Sequence, residues 1–198
     1  MQQSLPTSSV SVLLVTSATD VSESLRSSLQ ENYRLQIIPE DAMISMAGAS
    51  LDATDIVLFA KTFLDPDDLE KITSLLAAVP IPVLVFVDTD PHNIARPAIR
   101  AGVTSFVVDG LVAARVPTLI EVTMERFKLS ESLRNELLKS QEELAARKVI
   151  ERAKGLLMEK KQLSEQEAYR TLRELAMRQS KPIKDVAETL LLYSDVLP

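Results

Sequence analysis

Five short apolar runs constrain the fold of this 198-residue chain more than any other feature of its sequence. They lie at residues 10–15, 35–38, 55–59, 82–87 and 104–108, and they are rich in β-branched side chains. Stretches long enough for a helix separate them, and strands that alternate with helices form a parallel sheet. Runs without a polar face need helices on both sides of that sheet. We therefore predict a five-stranded parallel α/β domain over residues 8–116.

A long helix is predicted from the sequence that follows the last of these runs. Between residues 110 and 182 the chain has one proline, Pro117, which falls close to a helix start. We place the helix at about residues 116–161. Three of its leucines keep a heptad seam, with Ser130 and Ser140 at the intervening positions: Leu133, Leu137 and Leu144. Such a seam pairs helices, so we expect residues 117–144 to be a coiled-coil linker that makes the protein a homodimer.

The last part of the chain, residues 145–198, predicts a bundle of three helices. Ser164 followed by Glu167 is a capping box that starts a second helix through about residue 178. Pro182 marks the start of a third helix. The expected core residues from the first two helices are Ile150, Ala153, Leu157, Ala168, Leu172, Leu175 and Ala176, and those from the third are Ile183, Val186, Ala187, Leu190 and Leu191.

Charge separates this bundle from the rest of the chain. Residues 147–184 contain eleven Lys or Arg and five Glu, a net charge of +6, whereas the whole chain has a net charge of −6. A basic module on an acidic protein is typical of a nucleic-acid-binding tail.

Two segments of the sequence resemble a known family. The C-terminal module contains A-K-G-L-L-M from residue 153, S-x-x-E-A-Y from residue 164 and L-R-x-x-A-M from residue 172. This pattern, over residues 143–192, resembles the ANTAR domain of RNA-binding transcription antitermination regulators such as AmiR and NasR. The segment A-G-V-T-S-F-V-V-D-G-L, residues 101–111, resembles the receiver segment of nitrate-assimilation antiterminators of the NasT type. The resemblance implies a flavodoxin-like receiver fold, a linking helix and a three-helix ANTAR bundle at residues 145–198.

The resemblance also implies a function. Members of this family bind paired hairpins in a nascent leader mRNA and prevent a terminator from forming. Protein side chains read unpaired loop bases better than the narrow major groove of an RNA helix. A related role in nitrate or nitrite assimilation, or in a similar catabolic operon, follows from the NasT-like segment.

Several residues of the module are candidates for holding RNA, through cations that neutralise phosphates, an aromatic ring that stacks, or a close backbone approach. We expect this set to be Lys148, Arg152, Lys154, Gly155, Tyr169, Arg170, Arg173, Arg178 and Lys181, with Lys184 a further cation. Lys154, Arg173 and Arg178 are the first choices. The Tyr169 ring either stacks on a base or packs in the bundle. We expect Met158 and Met177 in the core, and Gly155 at a close approach of a neighbouring helix or of RNA.

The chemistry of a phosphorylatable receiver is missing. Such a domain needs an acidic pair for Mg²⁺, a nucleophilic aspartate, a hydroxyl and a lysine at the ends of its strands. Matching by strand position places Thr16, Ser17, Ala60, Val87 and Asp109 there, and none supplies the required group. We therefore predict an inactive pocket, and control by a ligand-sensing partner similar to NasS or AmiC.

Composition argues against other classes of protein. The chain has no cysteine and a single histidine, His92, and it shows no Gly-rich phosphate loop and no nucleophile beside a base. We expect a cytoplasmic protein that is not an enzyme, with no cofactor, no metal ion and no membrane contact. Two alternatives remain: a DNA-binding protein related to response regulators, and an interaction protein that binds no nucleic acid.

Overall fold

The computed structural model of the protein describes residues 10–16, 23–39, 51, 53–109 and 112–194. The chain divides into two compact units, Met1–Glu131 and Ser132–Pro198. The elements of the first unit are β1 (Ser11–Thr16), α1 (Glu23–Asn32), β2 (Arg34–Ile38), β3 (Ile56–Lys61), α2 (Pro66–Ala78), β4 (Val83–Val87), α3 (Ala95–Ala101) and β5 (Ser105–Val108). A short 3₁₀ helix, Ala113–Arg115, leads into α4 (Val116–Lys161), which is followed by α5 (Glu165–Gln179) and α6 (Ile183–Ser194).

The strands in the described residues form one parallel sheet of five, in the order β2-β1-β3-β4-β5. The predicted five-stranded parallel fold is confirmed. Because the strands are parallel, their carboxyl ends meet at one edge of the sheet. Thr16 lies opposite Ala60 in this register, and Val87 lies opposite both Lys61 and Val108. The matched receiver positions are therefore brought together at that edge.

Both faces of the sheet are covered, which explains why its strands are apolar without alternation. On one face Phe59 and Val85 belong to a buried cluster that includes Ile72 from α2 and Ala98 from α3. On the other face Phe86 packs in a cluster with residues from α1 and from the first turns of α4. Residues 116–131 of α4 therefore serve as the last helix of the α/β unit.

The start of α2 is set by two residues. The helix begins at Pro66, because Asp65 caps it and proline fits the first helical turn. The Asp65 carboxylate accepts a hydrogen bond of 2.8 Å from the Asp68 N–H, and the Asp68 carboxylate accepts one of 3.1 Å from the Asp65 N–H. The hydrogen bond from the Asp68 backbone is the main cause of a lowered pKa at Asp65.

The second unit is built as predicted, from the end of α4 with α5 and α6. Its buried cluster is Ala153, Leu157, Ala168, Leu172 and Ala187, with Ile150, Ile183, Leu190 and Leu191 packed against it. The capping box is present, since Ser164 accepts from the Glu167 N–H and Glu167 accepts from the Ser164 N–H. Ser180, in the left-handed region at φ 51°, ends α5.

The bounds of α4 agree with the predicted helix at residues 116–161. The seam leucines Leu133, Leu137 and Leu144 are each more than half exposed. The division of the chain into domains at residues 116 and 144 stays a prediction. In the described part of the protein, none of the helices is both long and apolar enough to cross a bilayer.

Candidate nucleic-acid interface

Lys154 lies inside the second unit and not on its surface. It is 7% exposed. Its Nζ donates to Glu165 Oε1 at 2.8 Å and to Glu151 Oε2 at 2.9 Å. These two hydrogen bonds, the one to Glu165 first, raise the pKa of Lys154. Glu165 begins α5, so the contact joins α4 to the first turn of the next helix.

In this structure two carboxylates already hold the ammonium group of Lys154, so the contact of Lys154 with an RNA phosphate stays a prediction. The sequence contained one signal of this pairing, since Glu151 lies three residues before Lys154 on the same helix. Glu165 lies eleven residues away, and only the packing of α5 against α4 brings it close.

Five other predicted cations do lie at the surface, and within the described residues none of them makes an ion pair. They are Lys148, Arg152, Arg173, Arg178 and Lys181. Arg170 pairs with Glu174 at 3.5 Å and Lys184 with Glu188 at 3.7 Å, one helical turn apart. Such exposed ion pairs stabilise a protein by less than about 1 kcal/mol, so breaking one to bind a phosphate costs little.

Three exposed side chains of different chemistry follow one face of α5. Tyr169, Arg173 and Met177, which we call the α5 stripe, are spaced four residues apart and lie one above the other. Tyr169 is 45% exposed and Met177 is 71% exposed. Each member follows a buried residue of the bundle core, namely Ala168, Leu172 or Ala176. A helix rotates by about 100° per residue, so the stripe is turned away from the core.

At 45% exposure Tyr169 lies outside the buried core, and stacking of its ring on a base stays a prediction. The exposure of the methionines corrects the expectation about them. Met177 was expected in the core, and that expectation is wrong, as it is for Met158, which is 38% exposed. Both methionines follow a buried position by one residue, and apolar character alone did not distinguish the two faces.

Gly155 does not mark a close approach of another helix. It is exposed, and a Cβ atom added there would meet no atom within 4 Å outside its own turn. The part of that prediction that concerns a neighbouring helix is wrong. The backbone of α4 is open to solvent at Gly155, and close approach of RNA there stays a prediction.

At the carboxyl edge of the sheet in the first unit, the described matched positions carry none of the groups that a phosphorylatable receiver needs. The Thr16 hydroxyl donates to the Ala60 carbonyl at 3.0 Å, and Val87 is buried beside them. Asp109 stands where a receiver has its lysine, and its backbone is left-handed at φ 79°. Ser17 lies outside the described residues.

A cation does lie at this edge, one residue after Ala60. Lys61 Nζ pairs with Asp68 Oδ2 at 2.6 Å, so Lys61 is bound to the start of α2. The sequence contained both residues, yet matching by strand position passed over the pair.

The C-terminal part of the chain matches a family model. Residues 139–191 match the model of the ANTAR domain. The chain carries an ANTAR domain. This domain contains all of the predicted RNA-binding residues, from Lys148 to Lys181.

A curated relative extends the similarity to both units. The chain is 26% identical over 172 residues to the transcriptional regulatory protein PdtaR of Mycobacterium tuberculosis, in strains CDC 1551 / Oshkosh and ATCC 25618 / H37Rv. The alignment covers 87% of this chain and 82% of PdtaR.

Solved structures are similar in fold. NtrX from Brucella abortus, solved in complex with ATP, covers 74% of this chain and 35% of its own, at 19% identity and a TM-score of 0.51. The signal receiver domain of a modulated diguanylate cyclase from Desulfovibrio desulfuricans G20 covers 61% of this chain and 98% of its own, at 17% identity and a TM-score of 0.49. At these identities the likeness concerns the fold alone. The strand order β2-β1-β3-β4-β5 is the flavodoxin-like order of receiver domains, and it confirms the predicted receiver-like fold.

Proposed function

We propose that the protein is an RNA-binding transcription antiterminator, which binds paired hairpins in a nascent leader mRNA and prevents a terminator stem from forming. The observation that carries the proposal is the ANTAR match over residues 139–191, on a domain whose α5 presents the α5 stripe to solvent. Similarity to a protein named as a transcriptional regulator supports the same role.

The α5 stripe supplies the interactions that an RNA loop needs. Arg173 can neutralise a phosphate or stack its guanidinium plane on a base. The exposed ring of Tyr169 can stack on an unpaired base, a contact worth about 1–3 kcal/mol. Met177 adds an adaptable apolar contact at the end of the stripe. Arg178 and Lys181 extend the positive charge beyond it.

Two hairpins need two copies of the domain. The exposed seam leucines of α4 in the second unit, with Leu138 beside them, form an apolar surface on an otherwise charged helix. Pairing with a second copy would cover this surface in a coiled coil. We therefore propose a homodimer through α4 that presents one ANTAR domain to each hairpin.

Control falls to a partner and not to phosphorylation. No carboxylate stands at Thr16 or Ala60, and an apolar Val87 replaces the hydroxyl. A ligand-sensing protein similar to NasS or AmiC would sequester the regulator until its ligand releases it. Control of nitrate or nitrite assimilation rests on the NasT-like segment at residues 101–111 and is the first operon type to test.

The direct test uses the full-length protein and a pool of two-hairpin RNAs with randomised loops, followed by affinity measurement on the selected RNA across salt concentrations. We expect enrichment of a specific loop and a fall of log affinity with log salt. Arg173→Ala and Tyr169→Ala should weaken binding, whereas Arg134→Ala, an exposed cation of α4 outside the ANTAR match, should not.

Two outcomes would overturn the proposal. Equal competition by duplex DNA would favour the alternative of a DNA-binding regulator. Absence of any enriched RNA, with the protein folded, would leave the alternative of an interaction protein that binds no nucleic acid.

A further inference from the structure

A cavity of about 400 Å³ lies in the first unit, beside the carboxyl ends of β4 and β5 and the start of α4. Its apolar lining includes Phe86, Val107 and Leu119. Thr118, Asp109 and Arg115 line its polar part. Ligand sites in proteins have volumes from about 300 Å³ upwards and combine an apolar wall with a few polar groups. The carboxyl end of a parallel sheet is also where α/β folds bind ligands.

The two charged residues of this cavity form no ion pair within the part of the chain that the structure describes. Asp109 and Arg115 are both exposed, and neither forms an ion pair with the other or with any other residue that the structure describes. The first turn of α4 contains no acidic residue, so the positive end of this helix adds to the charge of Arg115. One cavity thus offers a positive and a negative group at separate points.

We propose that this cavity binds a free apolar α-amino acid. The ligand carboxylate is held by the Arg115 guanidinium, which can donate two parallel hydrogen bonds to it. The ligand ammonium group faces the Asp109 carboxylate, and its apolar side chain packs against Phe86, Val107 and Leu119. The Thr118 hydroxyl supplies a further hydrogen bond. The site is separate from the α5 stripe and does not depend on RNA binding.

The arrangement favours a zwitterion over a molecule with one charge. An apolar acid would cover Asp109 without giving it a partner, and an apolar amine would do the same to Arg115. A polar group that loses water without gaining a partner opposes binding, so both molecules are disfavoured relative to the amino acid.

The experiment titrates the full-length protein, labelled at valine and leucine methyl groups, with L-leucine and L-phenylalanine and follows the spectrum by NMR. We expect saturable shifts at Val107 and Leu119 with a Kd of about 1 mM or tighter for at least one of the two. The controls are 4-methylpentanoate and 3-methylbutylamine, which keep the leucine side chain and remove one charge each. We expect both to bind at least about tenfold more weakly.

Two variants locate the site. Arg115→Gln and Asp109→Asn should each weaken amino-acid binding about tenfold or more, with the fold intact because both side chains are exposed. Asparagine tolerates the left-handed backbone at residue 109, so the second variant removes charge without strain. Arg126→Gln, an exposed cation of α4 that does not line the cavity, is the matched control and should bind as the wild type does.

The proposal is overturned if neither amino acid shifts the two methyl signals at up to about 10 mM, a concentration that would detect even weak binding. It is equally overturned if 4-methylpentanoate or 3-methylbutylamine binds as tightly as leucine, or if the shifts persist in both variants.

Discussion

The carboxyl edge of the sheet and the α5 stripe are two candidate sites in one chain, and they differ in how far their side chains are exposed to solvent. At the sheet edge Thr16, Ala60 and Val87 are buried, and each is accounted for by packing or by a hydrogen bond inside the domain. On α5, Tyr169 and Met177 are exposed, at 45% and 71%. We propose the exposed groups of the α5 stripe as a contact surface, whereas Thr16, Ala60 and Val87 are part of a core.

The largest expected effect is at the sheet edge. Ala60→Asp restores the acceptor carboxylate that a receiver has, but it buries an unpaired charge at a position that is 3% exposed. We expect a loss of about 3 kcal/mol or more of unfolding free energy, measured by denaturant unfolding, and no phosphorylation by acetyl phosphate with Mg²⁺. Ala60→Ser is the smaller control. A stable Ala60→Asp protein that takes up phosphate would show that the edge keeps receiver chemistry.

The next effect separates the two faces of α5. Leu172→Ala removes a fully buried side chain from the core of the second unit and should cost about 2–5 kcal/mol. Met177→Ala, on the exposed face, should cost less than about 0.5 kcal/mol. Thermal unfolding followed by methyl NMR signals of the second unit measures both. If Met177→Ala destabilises as strongly as Leu172→Ala, the stripe is a packing surface and not a ligand surface.

A third prediction contrasts two cations of the ANTAR domain. Arg173→Ala should lower RNA affinity about tenfold and reduce the salt slope by about one unit, with no change in melting temperature. Lys154→Ala should lower the melting temperature, because Glu151 and Glu165 lose their partner. Its RNA complex should keep the wild-type salt slope, since no phosphate contact is removed. A reduced slope in Lys154→Ala would mean that this lysine leaves its carboxylates to bind RNA.

The smallest effect is on acid stability. The hydrogen bond from Lys154 lowers the pKa of Glu165 below its ordinary value of 4.5. A lowered pKa stabilises the folded state above that ordinary value, and the contribution disappears as the pH falls through the folded-state pKa. Wild type should therefore melt slightly above Glu165→Gln at pH 7, and the difference should vanish in a melting series towards pH 3. If the difference in melting temperature persists at pH 3, the lowered pKa of Glu165 is not its cause.

Much of the fold was predictable because its signals are local. Apolar runs located the five strands, and Pro117 and the Ser164 capping box located helix starts within a residue. In the candidate site, exposed Arg173 and Arg178 lie where a basic face was expected.

The sequence by itself determined the order of strands and helices, the basic ANTAR module and the absence of receiver chemistry at matched positions, because periodicity, capping and residue type act over a few neighbouring residues. Only the tertiary structure decided which side chains of a helix remain available. Lys154 is held by Glu165 from another helix, Met177 faces solvent, and Asp109 and Arg115 share a cavity. Burial, exposure and pairing of this kind arise from the way helices and strands pack, which local sequence patterns do not specify.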